Sequence, residues 1–120
     1  MPVRSSNSSV LVWPTRQAVD SALRRWAAEN KARRPDLLRL GCFGSYARGD
    51  WGVGSDLDLV AVVCDSNVPF ERRALDWDLT PLPVSADLLV YTQAEWDSLT
   101  AADTRFAHVL ATEVAWIAGE

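Results

Sequence analysis

The stretch Gly44–Val63, GSYARGDWGVGSDLDLVAVV, changes chemistry half-way, and that change decides how the chain folds. Its second half runs on as Asp56–Cys64, DLDLVAVVC, whose β-branched, apolar content over a short length fits one central strand. Its first half begins at Gly44, where the short apolar run Leu37–Phe43 stops, and that run reads as a buried strand. Ser45 then opens a segment, SYARGD, that can form one helical turn with its free N–H groups pointing outward.

Working outward, Val19, Ala22, Leu23 and Trp26 recur at i, i+3, i+4 and i+7, which predicts an amphipathic helix from about Thr15 to Arg33, closed by Pro35. The Ser-rich residues 1 to 10 carry little apolar periodicity and read as a flexible arm. Downstream, Asp65–Asn67 reads as a turn. Pro69 suits a first helical turn, with Phe70, Ala74 and Trp77 as a short apolar stripe ended by Pro81 and Pro83. Residues Val84–Tyr91 alternate, with Val84, Ala86, Leu88 and Val90 on one face and Ser85, Asp87, Leu89 and Tyr91 on the other. Thr92 and Glu95 make a capping box for a helix carrying Trp96 and Leu99, and Phe106, Val109 and Leu110 mark a further helical face. Glu113–Ala118 alternates weakly and is a candidate fourth strand. The expected fold is α/β (α+β), a small mixed sheet of three to four strands with helices packed on it, in a single domain over residues 1–120.

Composition excludes several function classes. Hydrophobic residues at 48% and charged residues at 23% are ordinary for a globular protein. A net charge of −4 argues against an extensive nucleic-acid surface, and the densest basic group, Arg24, Arg25, Lys31, Arg33 and Arg34, falls on one predicted helix as a solvated face. No stretch approaches the roughly 18 apolar residues of a membrane span, and MPVRSSNSSV lacks the apolar centre of a signal peptide. Cys42 and Cys64 have neither metal-ligand nor disulfide-framework spacing and read as small hydrophobes, so a reducing, cytoplasmic setting is expected. Six tryptophans are many for 120 residues; core packing is their ordinary role, and one or two are expected on a partner surface. His108, the single histidine, lies on a predicted helix away from the motif and reads as a packing or surface residue.

Asp56 and Asp58 carry the chemistry. Two residues apart on a strand, they project from one face with Cα atoms roughly 6.5 Å apart, and two carboxylates in so small a volume invite a hard divalent cation such as Mg²⁺. Asp87, the one acid on its strand, would join them if the strands lay side by side, giving enough oxygen ligands for two ions. The bland alternatives are that Asp56 caps a turn, Asp58 pairs with an arginine and Asp87 sits on an exposed edge. A Gly–Ser corner suits a phosphate, because glycine permits close approach and the serine hydroxyl adds a donor. GDWGVG lacks the helix start and the distant acid of a dinucleotide fingerprint.

The spacing of Gly44–Ser45, ten intervening residues, then Asp56-x-Asp58 resembles the signature of the DNA polymerase β-like nucleotidyltransferase superfamily, and most closely its minimal nucleotidyltransferase (MNT) branch. The order of elements extends the resemblance over roughly residues 15 to 118. The resemblance implies catalytic and metal-binding roles for Asp56, Asp58 and Asp87, which would hold two Mg²⁺ ions, and a nucleotide-binding role for Gly44 and Ser45 at the triphosphate. Arg48 either contacts phosphate or pairs with Asp50. The implied reaction transfers a nucleotidyl group, AMP from ATP, to an acceptor. Larger members of the superfamily append an acceptor-binding domain that is expected to be missing here. Minimal members often accompany a HEPN-family toxin, and the resemblance therefore implies an antitoxin whose acceptor is that HEPN partner protein. Two other readings stay open: a non-catalytic toxin-binding module with a vestigial nucleotide site, and a small-molecule, antibiotic-type nucleotidyltransferase working as a homo-oligomer.

Overall fold

The computed structural model describes residues 14–52 and 54–119. The Ser-rich arm at residues 1 to 10 lies outside them. Helix α1 (Arg16–Arg33) starts where the apolar periodicity begins: the Thr15 hydroxyl accepts from the Ala18 N–H at 3.0 Å, a side-chain N-cap. Its buried stripe is Val19, Leu23, Trp26, Ala27 and Asn30. Strand β1 (Leu37–Phe43) runs into the five-residue helix α2 (Gly44–Arg48), which Gly49 ends in the left-handed conformation. Strand β2 (Leu57–Val63) follows, then helix α3 (Phe70–Arg73) and a 3₁₀ turn (Ala74–Asp76). Strand β3 (Ala86–Thr92), helices α4 (Gln93–Ala101) and α5 (Arg105–Glu113) and strand β4 (Ala115–Gly119) complete the order.

The sheet order is β3-β2-β1-β4. β1 is antiparallel to both β2 and β4, whereas β2 and β3 run parallel. The α3 region supplies the crossover that a parallel pair requires. One sheet face packs Leu40, Cys42, Leu59, Ala61, Leu88 and Val90 against the α1 stripe; the other packs Val60 and Val62 against Trp96 of α4 and Leu110 of α5. Strand β2, covered on both faces, reads as the continuous apolar run its sequence suggests.

Three expectations are corrected. Phe70, Ala74 and Trp77 do not form one helical stripe, because the helix gives way to a 3₁₀ turn and Trp77 is extended. Trp77 instead packs on Trp26 at 6.0 Å between ring centroids, and the Trp26 indole donates to the Asp78 carbonyl. On α5 the buried positions are Ala107 and Leu110, while Phe106 is exposed. Cys64 is exposed at the end of β2, unlike the buried Cys42. None of the five described tryptophans belongs to the exposed large hydrophobics; these are Val68, Phe70, Leu75 and Phe106.

Arg73 ties the crossover to the rest. Its guanidinium forms a bidentate pair with Glu95 at 2.6 and 3.1 Å and donates to the Val68 and Val90 carbonyls. Glu95 meanwhile completes the expected capping box with Thr92. The bonds from Arg73, and then from the Thr92 N–H, hold the Glu95 carboxyl down at about 2. A depressed carboxyl contributes stability that is present above its unfolded pKa and is lost as pH falls towards the folded value. Chemical denaturation should show stability declining from about pH 4.5 to about 2. Glu95→Gln should flatten that acid limb and cost about 1–2 kcal/mol at neutral pH, less than a fully buried pair, because the Glu95 side chain is 43% exposed.

Candidate active site

Parallel pairing of β2 with β3 sets Asp58 directly opposite Asp87. Strands in register stand about 4.7–4.9 Å apart and paired residues share a face, so the two carboxylates leave the sheet on the same side. Asp56, just before β2, is near enough for its charge to act on Asp58. On the other flank Asp58 is opposite Phe43, the residue before the Gly44 bend.

The bend and the acid are fitted to each other. Gly44 has φ of +75°, and a Cβ built there would run into Oδ2 of Asp58 and come within 3.2 Å of its Cγ. Glycine is therefore required twice, for the left-handed backbone and for the space that the carboxylate occupies. The cap residue of α2 is Phe43, whose side chain offers no hydrogen bond, so the first N–H groups of α2, including that of Ser45, open beside Asp58.

Helix α2 is bolted down from behind. The buried Tyr46 hydroxyl donates to Asp20 Oδ1 at 3.0 Å, and Arg16 donates to the Tyr46 carbonyl at 2.8 Å while stacking over its ring. Burial first, and then the bond to Asp20, push the Tyr46 phenol up to about 12. Sequence reasoning missed this clamp, whose parts are 26 and 30 residues apart and which no local pattern reports.

None of the three acids makes an ion pair or hydrogen bond among the described residues. Gly52 and Ser55 bond to each other without Asp56, and no arginine among the described residues pairs with Asp58, which leaves two of the bland readings unsupported. Asp87 does lie exposed on an edge strand, as the third held. Burial, then the negative charges of Asp87 and Asp56, raise the Asp58 carboxyl above its ordinary value, and the more distant Arg48 only partly offsets them. Arg48 itself pairs with Asp50 at 3.5 Å and with Glu113 at 3.3 Å.

A pocket of about 570 Å³ adjoins the acids, lined by Phe43, Asp58 and Asp87 and by the apolar side chains of Ala74, Leu75, Leu79 and Leu89. Among the described residues no three His, Cys, Asp or Glu side chains stand close enough to hold an ion as they are. Like-charge repulsion works against their closing without a cation. The donor set nonetheless fits a divalent ion: three hard oxygen ligands, two in register and one two residues away, with no other partners.

The sequence model of the nucleotidyltransferase domain matches residues 23–109, which takes in the Gly–Ser bend and all three acids. The chain belongs to the nucleotidyltransferase-domain family. No curated protein matches this nucleotidyltransferase in sequence. Solved structures similar to it include a Sulfolobus solfataricus protein assigned as a nucleotidyltransferase, at 20% identity and a TM-score of 0.60 over 84% of this chain and 80% of that one. A toxin–antitoxin crystallised with AMP-PNP is 21% identical, with a TM-score of 0.54 over 84% and 73% of the two chains. A variant of the toxin–antitoxin MntA–HpeT is 16% identical, with a TM-score of 0.50 over 89% and 75%. At these identities the likeness is one of fold.

Two substitutions probe the site's construction. Gly44→Ala should cost about 1–2 kcal/mol for the left-handed backbone alone and should displace the Asp58 carboxylate. Asp58→Asn removes a partly buried charge held against two others, so without divalent ions at neutral pH it should melt above the parent chain. Thermal denaturation of both variants in a chelator checks the two signs.

Proposed function

We propose that this nucleotidyltransferase uses Mg²⁺ to transfer AMP from ATP to a hydroxyl of a partner protein, and that it acts as an antitoxin towards a HEPN-family toxin. The observation that carries the reading is the Asp58–Asp87 register beside the Gly44 bend, which gathers acids and a phosphate-sized corner on one side of the sheet. Family membership and the toxin–antitoxin folds, one of them crystallised with AMP-PNP, support it.

In this reading Asp56, Asp58 and Asp87 hold two Mg²⁺ ions, which when bound neutralise phosphate charge and acidify the acceptor hydroxyl. The N–H groups at Gly44 and Ser45, with the Ser45 hydroxyl, cradle the triphosphate, and the Tyr46–Asp20 clamp keeps that cradle rigid against the strand ends. Arg48 gives up its pairs with Asp50 and Glu113 to meet a phosphate oxygen. The acceptor oxygen bonds to the α-phosphorus, the bond to pyrophosphate breaks, and the hydroxyl proton leaves through a neighbouring carboxylate to water. Two free thiols fit a cytoplasmic setting, and no helix among the described residues is long and apolar enough to cross a membrane.

Incubation with α-labelled ATP, Mg²⁺ and the product of the neighbouring toxin gene tests the proposal. Label should pass to the toxin, and Asp56→Ala should lower the rate at least about 100-fold, a loss of roughly 2.7 kcal/mol of transition-state stabilisation, while the two proteins still form a complex. Neutralisation of the toxin without any transfer would instead establish binding by occlusion.

A further inference from the structure

Strand β3 is an edge strand, and only half of its edge is closed. The Leu57 N–H donates to the Ser85 carbonyl, so the backbone groups of Ser85 and then of Asp87, Leu89 and Tyr91 face β2. Those of Ala86, Leu88 and Val90 must face away, because the N–H and C=O of one strand residue point to the same side and alternate along the chain. The bond from Arg73 Nη1 to the Val90 carbonyl confirms the alternation and seals the upper end. Below it, no hydrogen bond among the described residues takes the outward groups of Ala86 and Leu88.

That open half-edge borders the 570 Å³ pocket. The pocket wraps round β3: Ala86 and Leu88 belong to the α1 side of the sheet, whereas Asp87 and Leu89 point to the other. Its outer wall is the segment from Ala74 to Leu79, where Leu75 is 78% exposed, the most exposed large hydrophobic residue described. The lining offers an occupant backbone hydrogen bonds and apolar surface, and it has no Lys or Arg side chain. A phosphate-bearing acceptor strand would find no basic side chain there to hold its backbone.

Direction adds a second constraint. The Gly44 bend ends β1, on one flank of β2, and the open edge of β3 lies on the other, the pocket reaching from Phe43 across Asp58 and Asp87 to Leu75 and Leu79. In-line displacement puts the acceptor opposite the leaving pyrophosphate. With the triphosphate at the bend, the acceptor arrives from the β3 side.

We propose that the partner protein presents its acceptor hydroxyl on an extended peptide that adds to the β3 edge at Ala86 and Leu88, with its apolar side chains against Leu75, Leu79 and Leu89. Strand addition of this kind draws affinity from backbone bonds and selectivity from alternate side-chain pockets. It also fixes the register, so that one residue of the peptide lies beside Asp87. The proposal rests on the nucleotidyl-transfer reading and adds to it a docking mode for the acceptor. The step is the one written above, with the peptide hydroxyl oxygen bonding to the α-phosphorus, pyrophosphate leaving, and the proton passing through a carboxylate to water.

The test uses heptapeptides with valine at alternate positions and a central Ser, Thr or Tyr, supplied with the full chain, α-labelled ATP and Mg²⁺. A matched set carries N-methyl groups on alternate amides, which removes the donors a sheet edge needs. At least one unmethylated peptide should accept label. Its N-methylated twin should accept at least about tenfold less, and Leu75→Glu should raise the KM for the unmethylated peptide about tenfold. Binding of Mg²⁺ and AMP-PNP should be the same in Leu75→Glu as in the parent chain. Equal labelling of the two peptide sets, or no labelling of either by a chain that binds Mg²⁺ and AMP-PNP, would overturn the proposal. Weakened AMP-PNP binding in Leu75→Glu would overturn it too, by making the pocket a nucleotide subsite. A parent chain that does not bind Mg²⁺ and AMP-PNP would refute the nucleotidyl-transfer reading itself.

Discussion

The structure depends on a carboxylate that occupies the space where another residue's side chain would be. Asp58 sits so close to Gly44 that the bend cannot carry a Cβ, and the same Asp58 lies in register with Asp87. Three strands meet at one point: β1 ends there, β2 supplies the acid, and β3, parallel to β2, brings its own acid alongside. Parallel pairing forces the long crossover through α3, and the crossover in turn needs Arg73 to hold it to β3 and α4. The topology and the site are solutions to one geometric demand.

That arrangement is electrostatically uncomfortable. Asp58 is partly buried, the charges of Asp87 and Asp56 act on it, and no arginine among the described residues pairs with it, so its ionised form costs the fold stability. A protein selected only for stability would relieve such strain by pairing or replacing one acid. Surrounding structure keeps it in place: the Tyr46–Asp20 bond and the Arg16 contacts fix α2, and β2 is buried on both faces. Divalent cations would offset that negative charge, which is what the proposed function asks of these acids.

Much of this was legible in the sequence because the decisive signals are local. The spacing from Gly44–Ser45 to Asp56 and Asp58, the β-branched run of β2, and the Thr92–Glu95 capping box are read within a few residues, and the structure has the elements that they imply. Asp87 could be assigned to an alternating strand, but its partnership with Asp58 is a matter of register between strands far apart in sequence. Trp77 was misplaced for a related reason: its spacing from Phe70 mimics a helix, while its contact is with Trp26, a packing preference that no local period reports. Phe106 likewise fits the helical period of α5 and yet stays 41% exposed, its ring edge-on to Phe43, while Ala107 and Leu110 are the buried positions. The clamp on Tyr46 and the half-open edge of β3 belong to tertiary structure alone.

The most direct test of the central claim is anomalous diffraction from crystals grown with Mn²⁺ and AMP-PNP. The account predicts two manganese peaks on the Asp58 side of the sheet, held by the carboxylates of Asp56, Asp58 and Asp87, with the phosphates at the Gly44 bend. Manganese bound elsewhere, or an Asp87 side chain turned from both ions in the ternary complex, would contradict it.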